Sequence, residues 1–163
     1  MISDNKSIKG FNMRITFSFK KSVLLPIALS VIIFITFGCE KTYDAQAGVR
    51  MIQAIRWGNL ADVKTALSDG ADPNKEDGGF TALMLASWEG HCEIVKLLLR
   101  KGVDVNVENN DGNTALMMAS VTVHNEVVKL LLKKGVDVNV KNKDGLSALM
   151  MAVYKGHTEV VKL

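Results

Sequence analysis

The sequence predicts an all-α fold: a solenoid of helix–turn–helix repeats with short β-hairpin-like turns, preceded by an N-terminal hydrophobic segment. Three observations predict it. A unit readable by itself, DGNTALMMASVTVHNEVVKLLLKKGVDVN, occupies residues 111–139. That unit recurs along the chain at a step of 33 residues. Each copy also carries an apolar face that one helix pair cannot bury alone, so stacked copies must supply the core.

Within the unit every element has a local cause. Asp111-Gly112 is a turn pair. Thr114 offers a hydroxyl to the first free N–H groups of a helix over residues 115–120, a short apolar run of good helix formers. A second helix covers residues 126–134, with Lys129, Lys133 and Lys134 on or near its polar side. Lysines in a last turn suit the negative end of the helix dipole. Gly135 follows, where a left-handed residue commonly ends a helix.

The recurrence is specific. Thr-Ala-Leu-Met at 81–84 and 114–117 becomes Ser-Ala-Leu-Met at 147–150. His91, His124 and His157 keep the same step, as do Gly102 and Gly135 and the Asp-Val-Asn runs 104–106 and 137–139. A 33-residue period of two helices and a turn resembles the ankyrin repeat. The matching residues are Gly-x-Thr-x-Leu-x-x-Ala at 112–119, Gly-His-x-Glu-x-Val-Lys-Leu at 90–97 and 156–163, and Gly-x-Asp-x-Asn at 102–106. The family's Thr-Pro-Leu-His start is Thr-Ala-Leu-Met here, which keeps both the cap and the core leucine. The resemblance implies a protein-binding module that uses its turn tips and the concave face of its first helices.

Taken in order, the chain starts with a polar, basic stretch over residues 1–21. Val23 to Phe37 is then apolar except for Ser30 and Thr36, with Pro26 within it. At 15 residues this run is short of a bilayer span, which takes about 20. A basic region, a short apolar core and a small residue make a secretory signal over residues 1–38. Gly38-Cys39 followed by Glu40-Lys41-Thr42 resembles a bacterial lipoprotein signal. That resemblance implies lipid on Cys39, export, and a membrane-tethered place in the cell envelope. Thr36 stands where Leu is usual and Phe37 is large. A plain signal peptide and an uncleaved helix are the competing readings, and Met13 is an alternative start to Met1.

Residues 39–48 read as a linker and 49–163 as the repeat domain, with repeats at about 49–76, 77–109, 110–142 and 143–163, the last one truncated. The first lacks the Thr-Ala-Leu start and is comparatively polar (Arg50, Gln53, Arg56, Lys64), as a cap facing water should be. Leu83, Leu116 and Leu149 are expected to form one core column. Leu98 with Leu131, and Val95 with Val128 and Val161, are expected to form others. Val123 takes the place of Gly58, Gly90 and Gly156, so a strained left-handed valine or a re-routed turn is expected there.

Little in the sequence supports chemistry. The leader holds five cations against one carboxylate, so the total of +3 leaves −1 for residues 39–163. That removes a basic footprint for nucleic acid. Cys39 and Cys92 are too few for a disulfide framework. The three histidines lie one repeat apart, and packed helices at about 8–10 Å cannot share a zinc with ~2 Å bonds. Cys92 near His91 has no orienting third group. Asp77, Asp111 and Asp144 are turn formers. No enzyme, metal or cofactor is therefore expected. What remains is recognition of a protein partner by positions that vary between repeats: Arg56, Trp88, Val121 and Tyr154 near the inter-helix turns, and Phe80, Asn113 and Leu146 at the tips. A regulatory subunit of an enzyme and a fragment of a longer array are the rival readings.

Overall fold

The computed structural model describes residues 44–163. Four helix pairs follow one another: α1 (Ala45–Arg56) with α2 (Leu60–Ser68), α3 (Ala82–Trp88) with α4 (Cys92–Arg100), α5 (Ala115–Val121) with α6 (Asn125–Lys134), and α7 (Ala148–Tyr154) with α8 (Thr158–Val161). First helices pack on first helices in the order α1, α3, α5, α7, and second helices likewise in the order α2, α4, α6, α8. The signal segment expected over residues 1–38, with Cys39, lies outside the described residues. Among the described residues no helix is long and apolar enough to cross a membrane.

Each first helix starts at a side-chain cap. The hydroxyls of Thr81, Thr114 and Ser147 accept from the backbone N–H of Met84, Met117 and Met150 at 3.2, 3.4 and 3.4 Å. In α1 the carboxylate of Asp44 does this for Gln46 at 2.8 Å. That cap starts α1 at Ala45, inside the stretch expected to be linker, and Ala47 and Gly48 are buried. The second helices after the first repeat begin at His91, His124 and His157, none of which caps with its ring. The ring reaches instead to the preceding repeat. Nε2 of His124 meets the Trp88 carbonyl oxygen at 2.9 Å, and Nε2 of His157 meets that of Val121 at 2.9 Å. A carbonyl only accepts, so Nε2 carries the hydrogen in both rings. His91 Nε2 has no such partner among the described residues.

The core is the sum of the inter-repeat layers: Met51, Ile55, Leu83, Met84, Ile94, Val95, Leu98, Met117 and Leu131 are all closed off from solvent. Two expected core members are not. Leu149 is 55% exposed and Val161 39%, while their equivalents Leu83, Leu116, Val95 and Val128 are buried. Each of those buried residues is covered by the repeat that follows it. No element among the described residues follows α8. Met150 and Val153 are exposed for the same reason, and only Ala148, Ala152 and Val160, which face back into the stack, stay buried in the last repeat.

The tips also differ from a uniform series of hairpins. Among the described residues one antiparallel pair forms, β1 (Glu76–Asp77) with β2 (Phe80–Thr81), in the register Glu76↔Thr81 and Asp77↔Phe80. At the next two tips an asparagine side chain takes the backbone donors. Asn109 Oδ1 accepts from the N–H of Asp111 and Asn113, both at 2.9 Å. Asn142 Oδ1 accepts from Asp144 and Leu146 at 3.1 and 2.9 Å. Such local bonds compete with a strand ladder. The tips are also tied to one another, by Asn142 Nδ2 to Asn113 Oδ1 at 3.0 Å and by Lys143 N–H to the Asp111 carbonyl at 2.9 Å.

Val123 has φ +61°, the one non-glycine residue in the left-handed region among the described residues. The turn has therefore kept the path that glycine takes at Gly58, Gly90 and Gly156, and a β-branched side chain bears the strain. Val123→Gly is expected to stabilise the fold by about 1 kcal/mol, read as a melting temperature higher by about 4 °C. The reverse change, Gly90→Val, should lower it by considerably more, because a Cβ at Gly90 would run into the His124 ring. A calorimetric scan of both variants checks the two signs.

Candidate functional site

Four side chains close the first helices. Arg56, Trp88, Val121 and Tyr154 are the last residues of α1, α3, α5 and α7, and these helices stack in that order. The repeat thus places the four in one row, at the end of the helix pairs where first helix turns into second. Three positions earlier, and so on the same face of each helix, stand Gln53, Leu85, Met118 and Met151. Gln53 is exposed, Leu85 and Met151 are half-buried, and Met118 is buried.

The members of the expected site are not equally available. Tyr154 is 84% exposed and Trp88 44%. Leu146 is exposed at its tip. Val121 is half-buried, and its carbonyl is the one held by His157. Phe80 is half-buried on β2, with its ring packed against the core. Asn113 is half-buried, and its side-chain oxygen accepts from Asn142. Arg56 is exposed but paired: its Nη2 donates to Asp77 Oδ2 at 2.7 Å, across to the β1–β2 hairpin. Trp57 was not among the expected contact residues, yet at 86% exposed it is the most open large apolar side chain described. The sequence signal for it was its slot beside Arg56, shared with Glu89, Thr122 and Lys155.

The opposite face, made by the second helices, is a lattice of exposed charge pairs. Glu93–Lys96, Glu126–Lys129 and Glu159–Lys162 repeat at 2.6, 2.8 and 2.9 Å. The hydrogen bond from Lys96, and then its charge, hold the Glu93 carboxyl below its usual range, with Arg100 and Lys64 adding to the effect. Lys129 does the same to Glu126, with Lys96 of the neighbouring helix contributing. These pairs are spread along three helices. Among the described residues no group of His, Cys, Asp and Glu is placed to hold a metal ion.

A family profile described as Ankyrin repeats (3 copies) matches residues 32–109, 51–142 and 83–163, well over half of the chain. The chain belongs to the ankyrin-repeat family. It is 37% identical over 82 residues to the Ankyrin repeat and KH domain-containing protein mask-1 of Caenorhabditis elegans, covering 50% of this chain and 3% of that protein. It is 46% identical over 57 residues to Ankyrin repeat and SAM domain-containing protein 6 of Rattus norvegicus, covering 34% and 6%. It is 44% identical over 57 residues to Ankyrin repeat domain-containing protein 29 of Danio rerio, covering 34% and 19%. The chain therefore spans a small part of each of these relatives, and the likeness concerns the repeats. Ankyrin repeats make this an interaction module of the protein–protein kind, with the row at the first-helix ends as its candidate contact surface.

Truncation separates surface from scaffold within that row. Trp88→Ala and Tyr154→Ala are each expected to change stability by less than about 1 kcal/mol, as surface substitutions do. Phe80→Ala, which empties a half-buried site against the core, should cost about 2 kcal/mol. Denaturant titration of the three variants measures the difference.

Proposed function

We propose that this ankyrin-repeat chain is a non-catalytic capture module for a protein partner, exported and held at a membrane by lipid on Cys39. One observation carries the recognition half: Trp88, Val121 and Tyr154 end three consecutive stacked helices, and the two aromatics are exposed although the fold does not need them there. Arg56 and Val121 fill the same slot in other repeats. Large aromatic side chains beside cations are the usual composition of binding hot spots, and Lys155 adjoins Tyr154. An amphipathic segment laid across the row reaches several repeats at once. Half-buried Leu85 and Met151, with buried Met118 between them, form the floor beneath it. Two of the relatives it resembles carry ankyrin repeats beside a KH or a SAM domain.

The membrane half is supported by the sequence alone: the apolar run Val23 to Phe37, then Gly38-Cys39 and a polar residue. A single acyl chain anchors weakly and stable anchoring takes a second, which a multiply acylated cysteine supplies.

Both halves are testable. A partner isolated on the immobilised protein from an envelope fraction should bind Trp88→Ala and Tyr154→Ala at least about tenfold more weakly, a step of ~1.4 kcal/mol, with the fold intact. Unaltered capture by both stable variants removes the row from the mechanism. Cys39→Ser should release the protein from membranes, and intact mass of the wild type should show acylation at Cys39. An unmodified Cys39 ends the tether.

A further inference from the structure

The ends of the second helices make a different surface. α4 closes with Arg100, followed by Lys101, and α6 closes with Lys133 and Lys134. All four are exposed, and none joins an ion pair among the described residues. The acids that follow them in the chain do not neutralise them: Asp104 and Asp137 are turned into their own loops, where Oδ1 accepts from the N–H of Asn106 and Asn139 at 2.9 and 2.8 Å. The two helix ends are neighbours. α4 packs on α6, and the loops leaving them are joined by the Asp137 N–H to Asn106 Oδ1 at 2.9 Å.

Compensation of the helix dipole does not account for this density. α2 occupies the same place in the first repeat and has no basic residue in its last turn. It is followed by Asp69, which pairs with Arg50 at 3.0 Å. The fold thus closes a second helix without cations, and two adjacent repeats carry two each.

We propose that Arg100, Lys101, Lys133 and Lys134 form a docking edge for an anionic phospholipid surface. The four sit on blunt, adjacent helix ends, rows about 10 Å apart, and present charge on flexible stems rather than a shaped pocket. That suits a plane of headgroups. No aromatic side chain lies among them, as a single-stranded nucleic acid site would use for stacking. Of the described aromatic residues, Trp57, Trp88 and Tyr154 lie at the other end of the helix pairs, beyond helices of nine or ten residues, a length of about 13–15 Å, while Phe80 at the loop end has its ring packed against the core rather than open for stacking. The edge can rest on a bilayer while the partner row faces away from it. Outside the leader the chain is near neutral, so the attraction is local to the edge. The choice of a bilayer rests on the membrane reading above.

The test uses the full chain on two kinds of vesicle, pure phosphatidylcholine and a mixture with about one third phosphatidylglycerol. Binding to the neutral vesicle, with and without Cys39→Ser, reports the tether. The ratio of anionic to neutral binding, together with amine acetylation read by mass spectrometry, reports the edge. The anionic vesicle should protect Lys101, Lys133 and Lys134 from acetylation several-fold relative to Lys155, and added salt should abolish the protection. The combined variant Arg100→Gln, Lys101→Gln, Lys133→Gln, Lys134→Gln should lose anionic preference by at least about 30-fold, given about fivefold for each cation at a surface. Equal acetylation of these lysines on both vesicles overturns the proposal, as does a folded variant that keeps the wild-type ratio. So does a DNA duplex or polyglutamate that displaces the vesicle and protects the same lysines better, either of which would assign the edge to that polymer. A chain that fails on neutral vesicles but keeps the lysine footprint loses the tether and keeps the edge.

Discussion

The structure depends on one constraint: no repeat here can bury its own apolar face. Leu83 and Leu116 are closed because the next helix pair lies over them, and Leu149, the same residue type in the same slot, is more than half open where none does. Burial is thus a property of the junction between repeats. At about 25 cal/mol per Å² of apolar surface removed from water, each junction supplies the driving force that a globular domain draws from a single centre. The stack is accordingly quasi-one-dimensional, with each pair answering only to its neighbours.

Apolar stacking is not directional enough to hold a register, and polar links at both ends of the repeats provide it. At the inter-helix turn the imidazoles of His124 and His157 reach back to the last carbonyl of the preceding first helix. At the loop end, asparagine side chains tie tip to tip through Asn113, Asn142 and Asn106. The histidine bonds satisfy carbonyls that helix C-termini leave without partners. They also explain why the candidate contact side chains form a row: Trp88 and Val121 are the residues whose carbonyls are held. The same arrangement sets the candidate partner row and the proposed basic edge at opposite ends of the helix pairs.

Much of this was legible in the residues. The 33-residue step was visible as recurrence, and the Thr/Ser caps and the glycine stops act within one or two turns of chain. So does the left-handed backbone at Val123, because the other repeats put glycine there. The candidate site was legible only as a set of variable positions. That Arg56 would be spent on Asp77, Asn113 on Asn142 and Phe80 on the core depends on what lies across the junction, 21, 29 or more residues away or in another layer. Periodicity says which face a residue is on and not how much covers it, so the openness of Trp57, the most exposed described aromatic, follows only from the stacked structure.

The sequence by itself determined the repeat, its two helices, their caps and their ends, because hydrogen bonding near a helix terminus and the helical period are local properties of the chain. The tertiary structure alone decided which of several equivalent residues are core. Leu83, Leu116 and Leu149 are indistinguishable as sequence, and so are Val95, Val128 and Val161. It also decided that asparagine side chains, beside a single cross-turn backbone bond at each, would shape the later tips. Accessibility and ion pairing are set by neighbours that arrive only when the repeats stack.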